Sequence, residues 1–453
     1  MKKNRIKDNT SQKRRGFFSA ARIQAGVFCL LLGAGLVVSF LLPLRPAVSQ
    51  SEKRTLSVFP AFSVQALFSG SYFRGIDLWF SDTFPLRENI IGINSYLRGL
   101  YGIKTVQIKG EVEQGDEIPD VPGQTAAEET AAPPGGQTTP PETAAPQPAT
   151  TQAAEQGTTQ SFGAVLLYGS SAYEYYNFRK DLAGRYAALI NSTAARLDGD
   201  LYEIVVPTST GIMLPDSIKS SINSSDQKKA TDYLYSLMDT KVKTISIYDT
   251  LIAHNTEYLY FRTDHHWTAL GAYYAYEEWA KVKGVEAIPL ARYEKASYEG
   301  FLGSFYASTE KSPALGRTPD TVEVFKPFNN TKMTITDKNG RVLNWNVITD
   351  VSAWSESGKY GAFIGGDHPY SVIENKDLTD GSSCLVVKES FANTLIPFLV
   401  PHYQTIHIVD YRYWNGNVAD FANQNGVKDV LYINNISALR GEPLVERIEK
   451  ISG

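Results

Sequence analysis

The sequence predicts an α/β protein with a mainly parallel sheet, an inserted β-rich region and one N-terminal transmembrane helix. Three observations carry that reading. Short apolar runs alternate with helical-period segments across 164–283 and again across 384–451, the order that parallel strands joined by right-handed crossovers produce. The helical signal fades between 285 and 380, where 332–348 reads as a hairpin around Asp337-Lys338-Asn339-Gly340; Asn-Gly suits a tight type I′ turn. Residues 23–44 carry no charge and match the roughly 20 apolar residues that cross a bilayer.

Taken in order, residues 1–22 hold Lys2, Lys3, Arg5, Lys7, Lys13, Arg14, Arg15 and Arg22. They are expected to form a basic cytoplasmic tail, so that a single-pass anchor at 23–44 leaves the rest extracytoplasmic. A signal peptide cleaved near Ala47-Val48-Ser49 is the alternative, against which the apolar run is longer than a usual signal core. Residues 51–110 alternate apolar and polar groups around Phe59-Pro60 and Trp79-Phe80 and are expected to be juxtamembrane helices packing on the core. Residues 111–160, rich in Pro, Thr, Ala, Gln and Glu, have too little apolar surface to fold and are expected to be a disordered linker. Residues 161–453 form the main domain, with 285–380 as its inserted β-rich region. Within it, strands are expected near 164–168, 202–206, 244–248, 257–261, 384–388, 405–409 and 429–433. Helices are expected near 181–197, 226–238, 268–283, 391–400, 418–425 and 444–451.

The chemistry concentrates in two places. In an extended or turn segment residues i and i+2 project to the same side, so the Asp264 carboxylate can hold the His266 ring in one tautomer while His265 points away. An imidazole held this way is the general base a serine hydroxyl needs near neutral pH. Ser390 ends an apolar run and opens a helical segment, which predicts a nucleophile at the carboxyl end of a strand, beside free N–H groups of a helix N-terminus. Asn393 is the candidate for an oxyanion contact or a helix-start hydrogen bond. Gly365 and Gly366 either let backbone approach a ligand or make a simple turn. The loop 298–303 either lines substrate or packs its aromatics. A metal site from Asp264, His265, His266, Asp367 and His368 is the rival chemistry; adjacent histidines diverge and no His-Glu-x-x-His spacing occurs, so no metal is expected. His254, His402 and His407 read as surface or structural histidines.

The Asp264-His265-His266-Trp267 run resembles the signature of the DHHW protein family, which is SGNH-hydrolase-like and related to proteins that acetylate alginate and other exported polysaccharides. Lys388-Glu389-Ser390-Phe391 matches, in order, the segment that carries the nucleophile in those families. The resemblance implies an SGNH-like three-layer sandwich, a catalytic triad of Ser390, His266 and Asp264, no cofactor, and a membrane-bound O-acyltransferase partner that delivers the acyl group. It departs from the wider SGNH pattern. The acid–base pair precedes the serine, is spaced Asp-x-His, and Lys-Glu stands where Gly-Asp is usual, which fits the circularly permuted branch.

Composition narrows the rest. Lys and Arg number 44 against 48 Asp and Glu, so no basic field points to nucleic acid. The two cysteines, Cys29 in the apolar run and Cys384 before Ser390, are not placed to form a bridge, as in many bacterial exported proteins. The expected function is a membrane-anchored, extracytoplasmic O-acetyltransferase acting on a cell-envelope or exported polysaccharide. A carbohydrate esterase with the same triad is one alternative, and a non-catalytic glycan-binding or envelope-assembly protein is the other.

Overall fold

The computed structural model describes residues 26, 30, 33, 48–49, 54–68, 71–84, 107–110, 112–121 and 164–453. The chain divides into two compact units, residues 1–97 with 156–160, and residues 98–155 with 161–453. In the first, Val48–Ser49 pairs antiparallel with Arg54–Thr55, and two helices follow, Val64–Phe68 and Ser71–Asp82. The expected membrane span at 23–44 lies almost entirely outside the described residues, among which no helix is long and apolar enough to cross a membrane.

The second unit is built on an eight-stranded sheet. Its elements in chain order are β1 Gln107–Lys109, β2 Val165–Tyr168, β3 Ser171–Glu174, α1 Lys180–Arg196, β4 Asp200–Val206, α2 Gln227–Ser236, β5 Val242–Thr244 and α3 Ala269–Lys283. There follow β6 Glu294–Phe301, β7 Asp320–Lys326, β8 Thr331–Thr336, β9 Val342–Trp345, β10 Tyr370–Asn375, β11 Ser383–Lys388, β12 Thr405–Asp410, α4 Val418–Gln424, β13 Asp429–Asn435 and α5 Glu442–Ser452. The sheet order is β9-β8-β10-β12-β11-β13-β4-β5. β12, β11, β13, β4 and β5 run parallel, whereas β10, β8 and β9 are antiparallel.

The expectation of a mainly parallel sheet is therefore corrected to a mixed one. The inserted region 285–380 supplies the antiparallel edge, and only β6 and β7 stand apart as a two-stranded ribbon. The hairpin at 332–348 is present, but its turn is longer than Asn-Gly suggested. Thr336 pairs with Val342, Asp337 O accepts from Gly340 N at 2.9 Å, and Gly340 takes a positive φ of 78°.

Burial explains the layers. All six residues of β11 are buried, as a central strand covered on both faces must be. Cys384 and Val386 point into one core with Trp279 and Tyr276 of α3, while Leu385 and Val387 point into another with Leu182 and Ile190 of α1 and Ile448 of α5. Helix, sheet and helix thus form three layers around two apolar cores, with period-2 alternation along β11 dividing its side chains between them. β2 and β3, with β1, make a separate three-stranded sheet.

Three further expectations change. Residues 257–261 form no strand, only a single bridge between Tyr260 and Trp267. Tyr260 and Phe261 are buried in the core, so the apolar pattern reports anchoring and not ladder pairing. Residues 391–400 form no continuous helix. A 3₁₀ turn at Ser390–Thr394 leads to a short helix Ile396–Leu399 and another 3₁₀ turn Val400–His402; Pro397 and Pro401 withhold the N–H groups a longer helix needs. The stretch expected to be unfolded at 111–160 also begins with residues tied to the second unit. Asp116 N donates to Phe178 O at 2.8 Å, and Asp116 Oδ2 accepts from Lys180 N at 2.9 Å.

Candidate active site

The loop that carries Asp264 is pinned by a buried carboxylate. Asp320, fully enclosed, accepts from Arg262 N at 3.1 Å, Thr263 N at 2.7 Å and Thr263 Oγ1 at 2.6 Å. These bonds take the backbone donors that a strand would have paired. Asp264 then closes a side-chain turn, its Oδ1 accepting from His266 N at 3.0 Å, the local geometry short carboxylates favour. Thr268 caps α3 immediately afterwards, its hydroxyl accepting from Gly271 N at 3.3 Å, so the helix starts where Ser/Thr capping predicts.

Asp264, His266 and Ser390 meet in one line. His266 Nδ1 lies 2.5 Å from Asp264 Oδ1, and His266 Nε2 lies 2.7 Å from Ser390 Oγ. All three residues are buried. Asp264 Oδ2 accepts from Ser304 N at 2.7 Å and Ser304 Oγ at 2.8 Å. Burial alone would raise the Asp264 pKa, but the two imidazoles and these hydrogen bonds outweigh it and hold the carboxyl well below the usual carboxylate range. An ionised Asp264 keeps the proton of His266 on Nδ1 and leaves Nε2 as an acceptor facing the serine hydroxyl. The expectation that His265 points away is corrected: its ring lies against that of His266, with centroids 3.7 Å apart, and its Nδ1 is 3.7 Å from Asp264 Oδ1 and 2.6 Å from Ser304 Oγ. Burial with the neighbouring His266 pulls its pKa down to about 3.

Further residues hold this line in place, of which Tyr360 carried no sequence signal. The Tyr360 ring stacks on His266, and its hydroxyl donates to Ser390 O at 2.8 Å. Trp267 Nε1 donates to Phe391 O at 2.8 Å, tying the histidine loop to the serine turn. Gly303 approaches Asp264 so closely that a Cβ there would lie 2.2 Å from Asp264 Oδ2. Glu389, buried between β11 and Ser390, places Oε2 3.1 Å from Ser390 Oγ and 3.3 Å from Phe391 N, and its Oε1 accepts from Asn435 N at 3.0 Å. Burial raises the Glu389 pKa against the pull of Arg412 and His266.

The free helix N-terminus expected beside Ser390 is not formed, because the following turn is a five-residue 3₁₀ element whose Phe391 N–H is taken by Glu389. Asn393 does come to the site, one 3₁₀ turn from Ser390 and so on the same face. Its Nδ2 donates to Asp367 Oδ1 at 3.0 Å. Asp367 also accepts from Lys388 Nζ at 2.8 Å and pairs with Arg412 at 2.7 Å. Burial would raise the Asp367 pKa; Arg412 and Lys388 override it and hold it well below the ordinary value. Gly365 and Gly366 form the turn that leads into Asp367, with φ of 72° and 87°. A Cβ on Gly365 would stand 2.4 Å from Trp345 Nε1, so that glycine is required by the turn and by packing alike.

The ligand-type atoms of Asp264, His265 and His266 all lie within 4.8 Å of one another. Both ring nitrogens of His266 are engaged by Asp264 and Ser390, and Nδ1 of His265 by Ser304. Asp264, His266 and Ser390 thus form one continuous hydrogen-bonded line.

Comparison with known proteins agrees with this architecture. A family model described as DHHW protein matches residues 52–128 and 141–409. A crystal structure of a DHHW family protein from Eubacterium siraeum is similar at 26% identity and a TM-score of 0.57, covering 63% of this chain and 94% of that one. Bacillus cereus PatB1, solved with a sulfonyl adduct, is similar in fold at 22% identity and a TM-score of 0.53, covering 62% and 97%. The O-acetyltransferase domain of Pseudomonas putida AlgJ matches at 12% identity and a TM-score of 0.34, covering 62% and 96%. No curated protein matches. With the family model spanning more than half of its length and the Asp264–His266 pair at the centre of its site, the chain belongs to the DHHW family.

Proposed function

We propose that this protein is a serine-dependent O-acetyltransferase acting on hydroxyl groups of a cell-envelope or exported polysaccharide, held at the membrane with its active site outside. The observation that carries the proposal is the continuous hydrogen-bonded line from Asp264 through His266 to Ser390 Oγ. Ser390 Oγ attacks the acyl carbonyl as its proton passes to His266 Nε2, and the charge formed on the imidazole is stabilised by Asp264. The donor's acyl–leaving-group bond breaks and the leaving group departs with the proton from His266, so that the acyl group sits on Ser390 as an ester beside a neutral imidazole. A sugar hydroxyl gives its proton to His266, attacks that ester, and Ser390 recovers a proton from the imidazole. The sulfonyl adduct on PatB1 supports the reading, since sulfonyl reagents are trapped by activated nucleophiles. The polysaccharide acceptor, and a membrane-bound O-acyltransferase that supplies the acyl group, come from the family resemblance.

The test uses p-nitrophenyl acetate as donor and neutral oligosaccharides as acceptors, with full-length protein in detergent. Acetylated sugar that accumulates with wild type and is absent with Ser390→Ala supports the proposal. Release of acetate to water with no acetylated sugar, across a panel of acceptors, replaces transfer by hydrolysis.

A further inference from the structure

Ser390 Oγ has two hydrogen-bonding neighbours, His266 Nε2 at 2.7 Å and Glu389 Oε2 at 3.1 Å, and only one proton of its own. An Asp264 carboxylate 2.5 Å from His266 Nδ1 puts the imidazole proton on Nδ1, so Nε2 takes the serine proton. The remaining contact, oxygen to oxygen, closes as a hydrogen bond only when the second proton comes from the carboxyl. Glu389 is arranged for that. Its Oε1 accepts the shorter backbone bond, from Asn435 N at 3.0 Å, as a carbonyl oxygen does, while Oε2 faces the hydroxyl and takes only the longer bond from Phe391 N at 3.3 Å, which a hydroxyl oxygen can accept on a lone pair while donating to Oγ. Building on the reading of Ser390 as nucleophile, we infer that Glu389 is a catalytic residue that works as a neutral carboxyl, donating a hydrogen bond to Ser390 Oγ while His266 accepts the serine proton.

Proton accounting gives the consequence. In the attack, the serine proton moves to His266 and Glu389 keeps its own, stabilising the negative charge that develops on Oγ. In the return step Oγ is the leaving atom, its bond to the acyl carbon breaks, and the imidazole restores its proton while the same Glu389 bond supports it. The other distribution puts the shared proton on His266 and turns the serine hydroxyl toward a Glu389 carboxylate, a state in which no base faces Ser390. Loss of the proton altogether leaves a carboxylate competing with His266 for the hydroxyl. The charged and titratable groups facing Glu389 come from five places: His266, Arg412 and Tyr411 after β12, Asp367, Glu174 of β3, and Tyr360. Burial is the largest influence and favours the neutral carboxyl, with Arg412 and His266 opposing it.

The experiment is the pH dependence of Ser390 labelling by a fluorophosphonate, wild type against Glu389→Gln, in the full-length protein. Gln keeps a donor facing Oγ and an acceptor facing Asn435, gives up the long bond from Phe391 N, and cannot ionise. Wild type is expected to lose rate at alkaline pH, about tenfold per pH unit beyond the midpoint, and E389Q to keep its acid limb and lose the alkaline one. An alkaline limb that persists unaltered in folded E389Q overturns the inference, while labelling that does not depend on Ser390 overturns the reading beneath it. Difference infrared spectra give a second measurement that needs no Glu389 variant. The carbonyl stretch of a protonated buried carboxyl shifts between wild type and Ser390→Ala if Oγ is its acceptor, and an unshifted or absent band contradicts the proposal.

Discussion

Tyr360 lies flat on His266, with ring centroids 3.9 Å apart and planes 12° from parallel, and its hydroxyl bonds the carbonyl of Ser390 at 2.8 Å. One side chain thereby orients both the His266 ring and the backbone of Ser390. Tyr360→Phe keeps the stack and removes one buried hydrogen bond, which corresponds to about 1 kcal/mol, or roughly a fivefold loss in the rate of Ser390 acylation. Tyr360→Ala removes both and is expected to cost on the order of a hundredfold, because the imidazole loses its wall. Single-turnover acylation rates for the two variants check the order; a Phe variant as slow as the Ala variant would show that the ring contributes little.

Gly303 is required by the proximity of Asp264. In Gly303→Ala the new methyl would stand 2.2 Å from Asp264 Oδ2 and 2.3 Å from its Cβ, so the carboxylate must move and its bond to His266 lengthens. Displacements of about 1 Å in a catalytic array cost on the order of a hundredfold in rate. Acylation kinetics beside a denaturant melt check this. The expected result is a rate loss larger than the stability loss accounts for.

Lys388 is 1% exposed and spans Asp367 at 2.8 Å and Asp410 at 3.4 Å. Lys388→Met keeps the volume and leaves the buried Asp410 and the partly exposed Asp367 with Arg412 as their one shared cation, so a loss of about 3 kcal/mol is expected, the usual result of removing one partner from a buried ion cluster. Urea unfolding reads this as a lower midpoint with an unchanged slope.

His265 gives a stability signature with a defined sign. Its pKa in the folded protein is pulled down from 6.5 to about 3 by burial and His266, so the unfolded chain binds the proton first. The stability contributed by the neutral buried ring is complete above about 6.5 and is lost as pH falls from there toward about 3. Asp264, held below 3.8, loses its contribution only in more acidic solution. Unfolding free energy measured from pH 7 to pH 4 is therefore expected to fall less steeply in His265→Gln than in wild type, and equal slopes would contradict the assignment.

Asp264, His266 and Ser390 were legible as site residues because each sits in a short run whose neighbours restrict it. Asp264 and His266 are two apart in a turn, and Ser390 follows a strand, β11, so uniformly apolar that only a central position fits it. The sandwich layers were legible from the alternation of strands with α1 to α5. What could not be read depended on partners distant in sequence. The N–H groups of Arg262 and Thr263 are taken by Asp320, so a stretch rich in β-forming residues became a pinned loop. Tyr360, Ser304 and Gly303 reach the site only through the chain's return past β6 and into the 359–362 turn. Asn393 was identified as a site residue, but its amide is committed to Asp367, a contact the sequence could not specify. The antiparallel edge of the sheet was hidden for a related reason. β8, β9 and β10 carry their own hairpin pattern, which says nothing about joining β12.

The central claim is that Ser390 is activated through His266. Labelling the full-length protein with a fluorophosphonate and locating the adduct by peptide mass spectrometry tests it directly, with Ser390→Ala and His266→Ala alongside. The account predicts an adduct on Ser390 in wild type, none in Ser390→Ala, and a rate in His266→Ala lower by about a thousandfold or more. An adduct on another residue, or wild-type labelling in His266→Ala, would contradict it.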